Sequence, residues 1–266
     1  MLVDMTAADA AFSLRVFGGL RFGVFTGIIA EVLDRKQVLP LMIVEKIVEY
    51  FAPAECLGCG SRQDFICQGC IEQLPRALPE CYVCRKSNNT GRSCESCHDK
   101  SVLSKLWIAT DYDGMIREAL LTLKNRRARS ISKAFGDLLA KNVVGDSSMI
   151  DLVTWVPVSP IRRRERGYNQ AELIGRRVAE QLGLPACSTL GRVTSLHQTG
   201  ADRDRRLAQV SGAFYPTRRL DGRRVLLVDD VVTTGATMDE CARMLLAAGA
   251  SEVVGAAVAR HLSKTL

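Results

Sequence analysis

From Lys105 onward, short apolar runs alternate with stretches in which apolar residues recur every three or four positions. Leu106 to Tyr112 reads as a strand, and Met115 to Lys124 as a helix carrying Ile116, Ala119, Leu120 and Leu123 on one face. A second helix is expected over Ile131 to Val143, and a strand over Leu152 to Val158 that stops at Pro160. Asn169 to Leu182 repeats the helical spacing with Leu173, Ile174, Val178 and Leu182, and Gly183 ends it. Residues 191–212 are polar and arginine-rich without a clear period. Val225 to Val228 is an apolar strand, Thr237 to Ala248 a helix closed by Gly249, and Glu252 to Ala259 a last strand. Strand and helix in alternation predict an α/β domain with a mostly parallel, doubly wound sheet, whose ligands bind at the carboxyl ends of the strands.

The rest of the chain differs. Residues 1 to 50 form an extension with weak patterning. Its apolar part, 11–30, is interrupted by Arg15 and Arg21 and makes a poor membrane span, so no membrane span is expected. Met42 is a possible alternative start. Residues 51–102 are rich in cysteine and turn formers, and 103–266 carry the α/β pattern. Hydrophobic residues make up 47% of the 266 and charged residues 24%, enough for an ordinary core, which argues against wholesale disorder. The net charge of +7 suits phosphate-bearing partners but does not by itself identify one.

Chemistry concentrates in the segment Val225 to Thr237. An apolar strand delivers Asp229 and Asp230 to its end, and Val232, Thr233, Thr234, Gly235, Ala236 and Thr237 turn into a helix. Gly235 lets backbone approach an anion, and the free N–H groups of the helix start favour negative charge. Two carboxylates would repel a phosphate, so vicinal sugar hydroxyls and a bound Mg²⁺ are their natural partners. Phosphate on the loop beside hydroxyls on the acids describes a ribose 5-phosphate. The segment resembles the phosphoribosyl pyrophosphate signature of type I phosphoribosyltransferases. That resemblance implies that Asp229 and Asp230 contact the ribose and that Val232 to Thr237 hold the 5-phosphate.

A second basic site follows the strand at 152–158, where Arg162, Arg163, Arg164 and Arg166 could neutralise a pyrophosphate, with Asn169 capping the next helix. His197 to Gly200 and Arg203 to Arg206 read as a polar loop, and 194–206 is the expected flexible lid. Taken in order, the Arg-Arg-Arg-Glu-Arg-Gly-Tyr-Asn-Gln run, the Gln-Thr-Gly with following arginines and Ala213-Phe214, and the Asp-Asp loop are similar to the ComF family, competence-protein-F-type phosphoribosyltransferase homologues of bacteria. The resemblance spans residues 51–262. It also gives Lys124 a phosphate contact and the cysteine region the form of a double zinc ribbon.

Eight of the ten cysteines form four Cys-x-x-Cys pairs: Cys56/Cys59, Cys67/Cys70, Cys81/Cys84 and Cys94/Cys97. This spacing lets both sulfurs reach one tetrahedral metal, and four thiolates with no open position make structural zinc. Seven residues separate the first two pairs and nine the last two, favouring two sequential sites, with cross-bracing the alternative. Gly58 and Gly69 are expected to serve the tight knuckles. Clustered thiols ahead of an α/β domain point to a reducing compartment, and the expected location is the cytoplasm.

Two readings stand. In the first, the chain is a phosphoribosyltransferase-type protein that binds phosphoribosyl pyrophosphate and Mg²⁺, with an unknown base or amine as acceptor. In the second, it is a non-catalytic competence protein that keeps the sugar-phosphate pocket and contacts single-stranded DNA. Arg62, Arg76, Arg85, Lys86 and Arg92 are then candidate contacts.

Overall fold

Apolar residues that alternate along a strand but recur in threes and fours along a helix must meet face to face, and they do so here on both sides of one sheet. In the computed structural model, residues 54–62, 64–125, 128–193 and 212–261 are described, all within one compact unit. Strands β1 (Lys105–Asp111), β2 (Leu152–Trp155), β5 (Arg224–Val232) and β6 (Glu252–Arg260) form a wholly parallel sheet in the order β1-β6-β5-β2. β3 (Leu190–Arg192) and β4 (Phe214–Pro216) make a small antiparallel pair. It falls at either end of the stretch in which the sequence shows no period.

Leu226 and Val228 of β5 point to one face, where α2 (Gly114–Asn125), α3 (Ile131–Val143) and α5 (Gln170–Leu182) bury Leu120, Phe135, Leu139, Ile174 and Val178. Val225 and Leu227 point to the other, against Met238, Cys241 and Leu245 of α6 (Ala236–Ala247) and against Leu190 and Phe214 of the small pair. The doubly wound expectation holds. Two boundaries differ from it by more than one residue: β2 stops at Trp155, and β5 runs through the acidic pair to Val232.

The cysteine region packs onto both cores. Ile66 and Ile71, the latter in the short helix α1 (Gln68–Glu72), are buried with α2 and α3, whereas Tyr82 and Leu103 join the α6 side. It also lines β1, where Leu106 N–H donates to Gly91 C=O (3.2 Å) and Ala77 N–H donates to Ala109 C=O (3.2 Å). Along β2, Val153 N–H donates to Pro185 C=O (2.9 Å), and Cys187 N–H donates to Val153 C=O (3.1 Å). No helix among the described residues is long and apolar enough to cross a membrane.

Candidate functional site

β2 and β5 are neighbours, but the chain leaves β2 toward α5 on one face and leaves β5 toward α6 on the other. Their carboxyl ends, where the two connections part to opposite faces, are the usual ligand position in an open α/β sheet. At the end of β5 stands the turn Thr233–Gly235. Gly235 stands at the N-cap of α6 with φ +87°, a left-handed conformation that suits glycine, and it has no side chain to cap the first turn. Ala236 N–H donates to Thr234 Oγ1 at 3.4 Å, and the other N–H groups of the helix start suit an anion. Thr233 and Thr234 are exposed.

The two carboxylates diverge. Asp230 meets α2, where Lys124 Nζ stands 2.5 Å from its Oδ2. Lys124, expected on phosphate, thus pairs with the acidic couple in the structure. Asp229 turns to the opposite side, within the field of Arg192 and Cys241. Burial and the adjacent Asp230 carboxylate push Asp229 well above the usual carboxylate range. Each acid also accepts the backbone N–H that follows it, Asp230 N–H to Asp229 Oδ1 (2.8 Å) and Val231 N–H to Asp230 Oδ1 (2.9 Å). A crowded acidic pair of this kind favours a cation or hydroxyl donors.

Past the end of β2 comes α4 (Pro160–Arg166), a helix where the sequence reading had a basic loop. Ser159 caps it by accepting Arg162 N–H (3.3 Å), Pro160 starts it, and Gly167 ends it in a left-handed turn. Helical spacing divides the four arginines. Arg162 and Arg166 share a side, and Arg162 faces Arg192 closely enough to lower its pKa, second only to burial. Arg163 instead pairs with Glu172 (3.3 Å), and Arg164 lies on the far side. Asn169 behaves as expected and more. Its Oδ1 caps α5 through Ala171 N–H (3.1 Å), and its Nδ2 donates to Val156 C=O (2.9 Å), tying the exit of β2 to the helix.

The cysteines assemble sequentially, not cross-braced. Cys56, Cys59, Cys67 and Cys70 form one tetrad and Cys81, Cys84, Cys94 and Cys97 the other, with the sulfurs of each within 4.8 Å of one another. Cys59 and Cys67 Sγ are 3.7 Å apart, and Cys84 and Cys94 Sγ 3.5 Å apart. Sulfurs about 2.3 Å from a tetrahedral zinc lie ~3.8 Å from one another, so each set could hold one zinc ion. The two halves repeat the same knuckle: Gly60 N–H donates to Cys56 C=O, and Arg85 N–H donates to Cys81 C=O, both at 2.8 Å. Burial opposes the Cys56 thiolate, but the backbone N–H groups of Cys67, Cys59 and Gly58 outweigh it and bring the thiol to about 6. Ser96 leads the same effect at Cys94, also about 6.

The glycine expectation needs correction. Gly58 is required because a Cβ there would stand 2.7 Å from Cys70 Sγ, but Gly69 is an open helical position. The left-handed knuckle residues are Gly60 and Arg85, with φ 74° and 67°.

Comparison with known proteins places these features together. The phosphoribosyl transferase domain family matches residues 170–266. Competence protein ComFC of Bacillus subtilis (strain 168) is 28% identical over 197 residues, covering 69% of this chain and 79% of the relative. Competence protein F of Haemophilus influenzae is 25% identical over 214 residues, covering 74% and 93%. The DNA utilization protein YhgH of Salmonella typhi is 29% identical over 199 residues, covering 71% and 86%. The chain is similar to these competence and DNA utilization proteins along most of its length. Among solved structures, the match to a purine phosphoribosyltransferase from Pyrococcus horikoshii Ot3 covers 60% of this chain and 82% of that one at 16% identity and a TM-score of 0.32, too loose a likeness to carry weight.

Two residues of this site escape sequence reasoning. Arg192, at the end of β3, stacks over Phe214 at 5.2 Å and lies within the field of both Arg162 and Asp229. Only its placement reveals it, since one arginine in a three-residue strand carries no pattern. Tyr82 lies inside the knuckle Cys81-x-x-Cys84, yet its hydroxyl donates to Asp239 Oδ1 of α6 at 2.8 Å. Burial pushes its phenol up to about 12, so the proton stays in place at neutral pH. The expected lid, 194–206, including His197 to Gly200 and Arg203 to Arg206, lies outside the described residues.

Proposed function

We propose that the chain binds phosphoribosyl pyrophosphate with Mg²⁺ at the carboxyl ends of β2 and β5 and belongs to the phosphoribosyltransferase reaction class. In that reaction a nitrogenous base or amine displaces pyrophosphate from C1 of the sugar. One observation carries the proposal: an acidic pair leads into a Gly235-capped helix, with Arg192 within the field of both Asp229 and Arg162. The Val232–Thr237 turn takes the 5-phosphate, Asp229 and Asp230 take the ribose hydroxyls, and Arg162 with Arg192 neutralises the pyrophosphate. Asp229 and Asp230 would also hold Mg²⁺, which offsets charge on the pyrophosphate when bound. The free cysteines support a reducing cytoplasmic location.

Calorimetric titration of the zinc-loaded protein with phosphoribosyl pyrophosphate, with and without Mg²⁺, tests the assignment. Magnesium-dependent binding that disappears in the Asp229→Asn/Asp230→Asn double variant is expected. Equal affinity in that variant would sink it.

The relatives named for competence and DNA utilization favour a second reading, in which the exposed arginines grip single-stranded DNA. Removing residues 51–100 would not test this cleanly, because Ile66 and Ile71 are part of the main core. Charge removal is cleaner. If α4 provides the grip, Arg164→Ala with Arg166→Ala abolishes salt-sensitive DNA binding, while Arg76→Ala with Arg92→Ala leaves it intact. The reverse result moves the contact to the cysteine region.

A further inference from the structure

We propose that Tyr82, a residue of the second cysteine knuckle, is the positioning residue of the Thr233–Gly235 turn, so that ligand affinity at the turn is set by a side chain from the metal-binding region. The inference rests on the assignment of that turn to the 5-phosphate.

Tyr82 is 3% exposed and reaches α6 from a knuckle more than 150 positions earlier in the chain. Its ring touches the turn itself. A Cβ built on Gly235 would lie 3.5 Å from ring carbon Cδ2 and 3.7 Å from Cε2, so the ring backs the one left-handed residue of the turn. Its hydroxyl holds the first turn of α6 through Asp239, whose own N–H donates to Gly235 C=O at 2.9 Å. The same oxygen is fixed from the knuckle side. Val102 and Leu103 N–H donate to it at 3.1 and 3.2 Å, and Ser101 Oγ stands 2.9 Å away. One rigid aromatic thus backs the last residue of the anion-binding turn and ties the first turn of the helix behind it, and is itself held by backbone on the far side. A displacement of well under an ångström would move the N–H groups out of hydrogen-bond range of a phosphate.

The neighbouring tie points the same way. Arg260, buried at the carboxyl end of β6, pairs with Glu80, which also accepts from Arg85 Nε at 2.8 Å. Glu80, Tyr82 and Arg85 surround Cys81, the fully buried cysteine of the second tetrad. Among the described residues, the first tetrad has no such reach. Its residues Phe65, Ile66 and Ile71 pack on the α2–α3 core, and Gly58 stands against Met115. The two zinc sites are therefore not equivalent: the second serves the ligand turn and the first serves the fold.

The test is calorimetric titration of full-length zinc-loaded protein with phosphoribosyl pyrophosphate and Mg²⁺, with thermal stability and zinc content measured on the same samples. Tyr82→Phe keeps the ring and removes the tether, and should weaken binding about fivefold, the order expected for one lost hydrogen bond. Tyr82→Ala, losing ring and tether, should weaken it further. Asp239→Asn still accepts from the hydroxyl and should bind as wild type does. Phe65→Ala, a lesion of similar size on the first tetrad's side, should lower the melting temperature without changing affinity. Wild-type affinity in Tyr82→Phe overturns the proposal, as does an equal loss in Phe65→Ala. If the wild-type chain itself fails to bind, the ligand assignment has failed and the clamp is read directly. Hydrogen exchange of the 233–239 amides should then rise in Tyr82→Phe, and unchanged protection overturns the clamp.

Discussion

Burial and the adjacent Asp230 carboxylate make Asp229 a costly group for the fold, a cost that the proposed ligand role would account for. Its pKa is raised in the folded chain, so its contribution to stability is complete below the unfolded carboxylate value of about 3.9 and is lost as pH rises through the folded value. Asp229→Asn removes that loss. The variant should melt with wild type near pH 4 and above it at pH 8, by about 2–4 °C for each kcal/mol relieved, while losing magnesium-dependent ligand binding. Differential scanning at the two pH values decides it, and a lower melting temperature at pH 8 would show that the acid stabilises the fold after all. Arg192 makes the complementary case. Arg192→Met keeps the stacking volume over Phe214 and removes the charge facing Asp229. Affinity for phosphoribosyl pyrophosphate should drop about tenfold with little change in stability, the scale of one charge-assisted hydrogen bond. A fall in stability with affinity intact would make Arg192 a packing residue only.

At the scale of elements, Asn169 shows how a single side chain joins two of them. Replacing it with alanine removes the cap of α5 and leaves the Val156 carbonyl without its donor, a combined cost of about 2 kcal/mol. Thermal denaturation should show a fall of about 4–8 °C. The long elements were legible because their apolar spacing is uninterrupted, as in Ile131–Val143 and Gln170–Leu182. α4 was not, since Ile161 is its one apolar residue past Pro160 and the arginines mask any face. Its capping residues Ser159, Pro160 and Gly167 spelled a short helix all the same. β3 and β4 are three residues each and pair across a long intervening stretch, too short for a period to register. β5 extends beyond Val228 because hydrogen bonding to β6 continues under the carboxylates that end its apolar run. The acidic turn and the cysteine spacing were readable because chemistry, not periodicity, marks them. What required the fold was which arginine faces which acid.

At the scale of the molecule, the cysteine region is part of the structure that holds the sheet. Its apolar residues enter both cores, so removal of zinc should reach well past the knuckles. Cys56→Ala with Cys59→Ala, which disables the first tetrad, should lower the melting temperature of the whole unit cooperatively, because Ile66 and Ile71 lose their anchorage. A separate early transition that leaves the main transition unmoved would show two independent parts. The hydrogen bonds along β1 have one more consequence. A parallel sheet ends in rows of unpaired amide groups that invite strands from other molecules, and here Ala77 and Gly91 occupy those of β1. A chain stripped of metal would lose this shield together with the core contacts of Ile66 and Ile71. Its failure under chelation should therefore be self-association, visible as light scattering that rises with the cooperative loss of native circular dichroism.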